Sequence, residues 1–375
     1  MAEDRSTGLL TGLDLESLKR RIKRAPLQGA YQRMVGRWRE ALECIARGEE
    51  PDHPASLGWR MVTPFALEAA FIWRMTGDAE ALSYVENRIA KLAEVTDDPE
   101  TGWVPALSHA QMALATDMCR DGLSEGAYHT ICDLARERFI DFHAAEVVNL
   151  RYGAGRNTPV CQTVCAGIAA LVLGEECGHT GWETVVGFGR DAAVQYLRRG
   201  VDANGYPFEG SGYGHETFYY VYLMAELLRQ NGRDNLFETE PNLRNIPLAS
   251  LSVLFPDRSH LVNVNDIGLM FPHSMPYLLL TARHYGRAVD AGFWDEFQGF
   301  QHPQWPCGDV VPWFKETYGR VTRGWDHIPS LLLAILWWRP ETAHTSIETA
   351  GLPTANYAPG IEMANFRTSW SHDAT

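Results

Sequence analysis

Apolar residues in this chain recur at helical spacing, stop at short polar breaks and start again, while alternating strand-like runs are almost absent before residue 355. A chain patterned this way buries its apolar stripes by pairing helices, so the expected fold class is all-α. Leu82, Val85, Ile89 and Leu92 follow the 3.6-residue period, and Thr76-Gly77-Asp78 ahead of them supplies a glycine stop and an Asp N-cap. Upstream, "FALEAAFIWRM" reads as a more buried helix, so the two form an αα-hairpin around a tight turn. Ser124 predicts an N-cap for a helix over 125–142, and further helices are expected at 159–176, 184–199, 216–230, 276–287 and 329–338. No short sequence repeats exactly in step, yet hairpins recur at similar spacing, as in a helical array or closed toroid.

The last residues break the habit. "IEMANFRTSWSHDAT" alternates, carries aromatics and has few helix formers, so it reads as the first strand of a β-rich domain cut near its start. The expected organisation is a tail at 1–14, a helical domain at 15–350, and a linker plus strand at 351–375.

Charge and cysteine usage narrow the function classes. A net charge of −14 argues against nucleic acid, whose phosphates need a basic footprint, but a local arginine cluster still permits an acidic substrate. The amino-terminal "MAEDRSTGLL" lacks the basic and apolar regions of a secretory leader. The longest purely apolar run, Leu331 to Trp338, falls well short of the roughly 20 residues that cross a bilayer. A cytoplasmic protein without membrane contact is therefore expected, periplasmic or secreted if a leader has been removed. Seven cysteines suggest free thiols in a reducing compartment. Cys161 and Cys165 would share one helix face, but no second Cys or His pair stands at matching spacing, so buried thiols are expected rather than a metal site.

Three segments concentrate polar chemistry. In "GAGRNTPVCQTVCAGIAALVLGEE" a Gly-rich loop delivers Arg156 and Asn157 to a helix start, with Asn157 or Thr158 as N-cap. The plainer role for Asn157 is capping; the functional one is an amide facing an anion near the positive helix end. In "DANGYPFEGSGYGHETFYY" the spacing predicts turns at Asn204–Gly205 and at 210–214, with Tyr206 and Phe208 anchored in the core. Glycines on both sides leave Tyr213 on an open backbone, where its phenol can take and give a proton. The third segment, "FPDRSHLVNVNDIGLMFPHSMPY", carries His260, Asn263, Asn265, Asp266 and His273, either as a solvated connection or as a cleft-lining loop.

Taken in order, "RNTPVCQTVCAGIAALVLGEE", "DANGYPFEGSGYGHETFYYVYLMAELL" and "FRTSWSHDAT" resemble the helical domain and first sandwich strand of the heparinase II/III-like polysaccharide lyases, a group that includes oligoalginate lyases. "ALEAAFIWRMTGDAEALSYV" is similar to that family's early hairpin, so the likeness spans most of residues 15–375. It implies an incomplete α/α toroid followed by a β-sandwich, with an acidic oligo- or polysaccharide between them. Asn157 then matches the amide that neutralises the uronate carboxylate, and Tyr213 the proton-transferring tyrosine. Arg156, Glu209, His215, His260 and Asp266 are the expected substrate-binding or tuning groups, Glu209 and His215 orienting Tyr213. Many members place a histidine after the asparagine, where this chain has Thr158. The family's further histidine, and a structural zinc in some members, belong to the sandwich; no cofactor is expected in this chain, and homo-oligomerisation is left open. Two other functions stand beside elimination: a glycoside hydrolase using Glu209 and Asp266, and a carbohydrate-binding relative without turnover.

Overall fold

The fold was analysed in a computed structural model, which describes residues 7–48, 65–94, 103–153, 155–256, 261–262, 275–296, 330–371 and 373–374. These residues are mostly helical. Helices α1 (Leu15–Arg21) and α2 (Leu27–Ala46) precede a tight hairpin of α3 (Ala66–Thr76) and α4 (Ala79–Glu94). Gly77 ends α3 with φ at 75°, and the Asp78 carboxylate accepts the Glu80 N–H at 2.9 Å to open α4. Both signals were local, and both act where the sequence puts them.

α5 (Trp103–Cys119) and α6 (Glu125–Leu134) follow. Ser124 Oγ accepts the Ala127 N–H at 3.4 Å, and α6 runs directly into a π-helical stretch, Ala135–Phe142. Short α7 (Leu150–Gly153) leads to α8 (Asn157–Ala169), which continues through a π turn at Ala170–Gly174, and then to α9 (Trp182–Arg199). α10 (Gly210–Gln230), α11 (Leu236–Thr239), α12 (Asn242–Ser252), α13 (Leu278–Tyr285), α14 (Ala288–Glu296) and α15 (Ser330–Trp337) complete the helical part. The helix predicted over 276–287 forms as α13 and ends at Gly286, with φ at 65°; α14 begins beyond it at Ala288.

The core is built around α8, which packs on α5, α9 and α10. Asn157–Gly174 is apolar and long enough to cross a membrane, and 94% of it is buried inside the protein. Each fully buried side chain of the size of Ile168 or Val164 contributes roughly 2 kcal/mol by leaving water. Against α9 the backbones nearly touch: a Cβ on Gly167 would lie 2.7 Å from the Gly189 Cα. The six described cysteines are free, and Cys161 and Cys165 are buried between helices.

The carboxy-terminal segment holds two strands, not one. β1 (Ala355–Ala358) pairs antiparallel with β2 (Met363–Phe366), Tyr357 opposite Ala364. The hairpin is tied to the end of α12 by Asn356 Nδ2, which donates to Ser252 Oγ at 2.9 Å. Arg367 Nη2 donates to the carbonyls of Ser252 and Leu254 at 3.2 and 2.8 Å. The Arg367 guanidinium also lies 3.8 Å above the Trp370 ring.

Candidate functional site

α8 and α10 run parallel, with their N-termini at the same end. The Asn157 N–H donates to Glu209 Oε2, Cys161 Sγ meets Thr217 Oγ1 at 3.7 Å, and a Cβ on Gly167 would lie 3.2 Å from Met224 Cε. One turn back from Cys161 and Thr217 stand Asn157 and Tyr213, so these two are register neighbours at the shared end.

Burial singles out the same place. Every residue of α10 from Gly210 to Leu228 is buried except Tyr213, and every residue of α8 is buried except Thr158. Near their N-termini the two central helices therefore open toward solvent at one residue each. Asn157 lies just beneath. Its Oδ1 accepts the Thr158 N–H at 2.8 Å and the Thr158 hydroxyl at 3.3 Å, so the amide nitrogen is the group left for another partner. That Nδ2 is buried and has no hydrogen-bond partner among the described residues. An orphaned donor of this kind costs about 1–3 kcal/mol unless a ligand or water meets it.

Glu209 stands at the N-cap position of α10 but does not cap its own helix. Its carboxylate reaches across to the first N–H of α8 instead. Burial raises its pKa, an effect opposed by the Asn157 N–H and by the nearby Arg156 charge. Arg156 itself is exposed and is the N-cap residue of α8, with no side-chain cap bond. Neither Asn157 nor Thr158 occupies the cap, a correction to the sequence expectation: Glu209, from another helix, supplies the acceptor that a local cap otherwise would.

The glycine-rich stretch also differs from the open turn expected of it. Gly210, Ser211, Gly212, Tyr213 and Gly214 form the first turn of α10, six residues before the predicted start at Glu216. Gly214 is there because a Cβ would sit 2.2 Å from the Pro207 ring. Tyr213 is thus half-buried on a helix rather than held on a loose loop. The turn at Asn204–Gly205 does form: Gly205 has φ at 90° and lies against the Asn245 backbone. Tyr206 is anchored in the core as expected, whereas Phe208 is 42% exposed.

His215 does not sit beside Tyr213. Two helical positions on is about 200° around the axis, and its ring packs on Phe218 and Tyr277, 5.9 and 6.4 Å between centroids. Its Nδ1 bonds the Ser211 carbonyl, and burial lowers its pKa to about 4, so it is a neutral core imidazole. His260 and Asp266, with Asn263, Asn265 and His273, lie outside the described residues.

Glu216 was not singled out by the sequence. It is fully buried on α10, its pKa is raised well above the carboxylate range by burial, and its field reaches Cys161, Cys165 and Tyr220. The available signal was a glutamate followed by "TFYYVYLMAELL", a run apolar enough to bury everything within it. A second buried pair, His109 Nδ1 and His143 Nε2 at 2.9 Å, links α5 to the residue that follows the π stretch. Among the described residues no three His, Cys, Asp or Glu side chains converge as metal ligands.

The arrangement offers a donor amide, a phenol and a carboxyl at the positive ends of two parallel helices. No protein-family model matches the sequence, and no curated protein matches it either.

Proposed function

We propose that this chain is the helical part of an incomplete α/α toroid enzyme that cleaves uronate-containing glycans by β-elimination. The observation that carries the reading is the joint opening of α8 and α10 at Thr158 and Tyr213, beside an Asn157 amide nitrogen that has no partner among the described residues. In this scheme Asn157 Nδ2 hydrogen-bonds the substrate carboxylate and stabilises the charge that gathers on it as the C5 proton leaves. Tyr213, as phenolate, takes that proton; the C5–H electron pair forms the C4–C5 double bond, the C4–O4 bond breaks, and the phenol returns the proton to O4. Two helix N-termini favour the anionic forms of both substrate and phenol. Thr158, standing where a histidine occurs in similar lyases, holds the Asn157 Oδ1 with its N–H and hydroxyl, so that the amide nitrogen is the end offered to the substrate.

A second reading is favoured by one observation. The raised pKa of the half-buried Glu209 suits a general acid, as glycoside hydrolysis requires. The test is product chemistry on alginate and heparin-derived oligosaccharides. Elimination yields an unsaturated, ultraviolet-absorbing end; hydrolysis yields a saturated one with water incorporated from the solvent. Ultraviolet-silent cleavage moves Glu209 to the centre of the mechanism, and binding without cleavage leaves a carbohydrate-binding protein.

A further inference from the structure

The loop that carries Glu209 is fastened at a point remote from Glu209 itself. Asp202 Oδ1 accepts the N–H groups of Asn204 and Tyr206, each at 2.9 Å, and its Oδ2 accepts the N–H of Gly360 at 3.2 Å. The first two bonds are those of an ordinary Asx turn. The third is not local: Gly360 belongs to the turn between β1 and β2, 158 positions along the chain. Asn204 Nδ2 reaches the same hairpin, donating to the Tyr357 carbonyl at 2.6 Å. Contact between the two segments is tight, since a Cβ on Gly360 would lie 1.9 Å from the Phe208 ring and 2.9 Å from the Asp202 Cβ.

Between Asp202 and Glu209 the backbone has little slack. Asp202 N–H donates to the Tyr206 carbonyl at 2.8 Å, Phe208 N–H to the Gly200 carbonyl at 2.9 Å, and Gly210 N–H to the Pro207 carbonyl at 3.1 Å. The Pro207 ring abuts Gly214 in the turn that bears Tyr213. A shift at the hairpin is therefore passed along a stiff loop to the carboxylate that holds the first N–H of α8.

We infer that Asp202 is a positioning residue for the candidate site, using three backbone N–H groups from two separate segments to fix the loop that sets Glu209 against Asn157. The kinetic part of this inference rests on the lyase reading; the structural part does not. Among the described residues the Asp202 carboxylate bonds only backbone N–H groups, so its effect is expected on turnover more than on binding.

The experiment compares wild type, Asp202→Ala and Asp202→Asn in the full chain by amide hydrogen exchange and by kinetics on alginate and heparin-derived oligosaccharides. Asp202→Ala removes all three acceptors. The Asn157 amide should then exchange at least tenfold faster, while that of Gly77, on the remote α3–α4 turn, keeps its wild-type rate. In the enzyme assay kcat should fall by about 10- to 100-fold with KM nearly unchanged, the scale of a misplacement of about 1 Å. Asp202→Asn keeps the Oδ1 acceptor and loses only the hairpin bond, so exchange should quicken at Gly360 and Asn157 but not at Asn204 or Tyr206. If Asp202→Ala does not fold, Asp202→Asn decides alone. Unchanged exchange at Asn157 in the folded variants overturns the inference, as does normal kcat in an active enzyme whose Asn157 amide has been loosened. A wild type inactive on every uronate tested removes the lyase reading instead, and the exchange arm still decides whether Asp202 holds Glu209 in place.

Discussion

Each end of α10 carries a glutamate, half-buried Glu209 at one and buried Glu226 at the other, and the surroundings make opposite use of them. At the C-terminal end Glu226 accepts from Arg229 at 3.0 and 2.8 Å, from His284 at 3.0 Å, and from Arg283. Burial alone would raise its pKa, but these bonds and charges outweigh it and hold Glu226 well below the carboxylate range. His284 is itself pushed down, chiefly by burial, so the arginines supply the cationic charge. Arg21 at the end of α1 donates to the Trp338 carbonyl, and Arg339 donates to the Leu336 carbonyl at 2.6 Å. Several helix C-termini, each worth about half a negative charge, meet here and are answered by arginines. Burial together with Arg283 and Arg21 lowers Arg339 to about 10, the mark of cations packed closely for structural reasons. Among the described residues the N-terminal end shows no such cluster of arginines. Glu209 accepts the Asn157 backbone N–H, its pKa is raised, and the amide nitrogen beside it has no hydrogen-bond partner among the described residues. One end answers its carboxylate with cations and holds its pKa down; the other leaves its carboxyl with a raised pKa.

The largest effect that would sharpen this contrast is at the C-terminal end. Glu226→Ala leaves Arg229 and Arg283 without their shared anion, and denaturant unfolding should show a loss of about 3–5 kcal/mol. A loss below 1 kcal/mol would mean the cluster is decoration. At the N-terminal end the signature reverses: Tyr213→Phe should melt like wild type, because ring packing survives, yet lose elimination by about 100- to 10,000-fold. Near-normal turnover would take tyrosine out of the chemistry. Asn157→Ala should fall between the two, lowering both activity and substrate affinity while changing stability by only about 1 kcal/mol, since its backbone N–H still meets Glu209. The smallest effect concerns pH. The folded pKa of His215 lies below its unfolded value, so its contribution is fully present above about pH 6.5 and is lost as pH falls toward about 4. His215→Leu should therefore remove about 1 kcal/mol of the stability lost between pH 7 and pH 5.5, measured against wild type. An identical acid profile in the variant would show that the imidazole protonates without opening the core.

Sequence signals were most reliable where the cause was local. The Gly77 stop and the Asp78 and Ser124 acceptors act within a turn of their own position, so α4 and α6 begin where their residues say. Gly210, Gly212 and Gly214 mislead for the opposite reason. Their cost in a helix is about 1 kcal/mol each in isolation, but Gly214 answers a proline seven positions back that only tertiary packing brings against it. α5 has no clear polar face for periodicity to detect, because α3 and α8 both pack on it. Within the candidate site, Asn157 and Tyr213 could be singled out as residue types, but their register depends on two helices lying parallel. His215 shows the converse, a neighbour in sequence that faces the other way. Glu209 was read as a substrate or tuning group, and its reach to another helix's first N–H is a long-range contact that spacing does not encode.

The near-contact of Gly167 and Gly189 has a mechanical consequence for the opposite end of α8. From that crossing to Asn157 the helix is a rigid rod about 15 Å long. A methyl group added at either glycine acts as a wedge at the fulcrum, and a tilt of a few degrees there moves the tip by about 1 Å, enough to matter for a positioned amide. Met224, whose methyl group would lie 3.2 Å from a Cβ at either glycine, is the nearby flexible side chain that can yield. Selection for restored function in a Gly167→Ala background would then favour smaller side chains at position 224, far from the opening they repair.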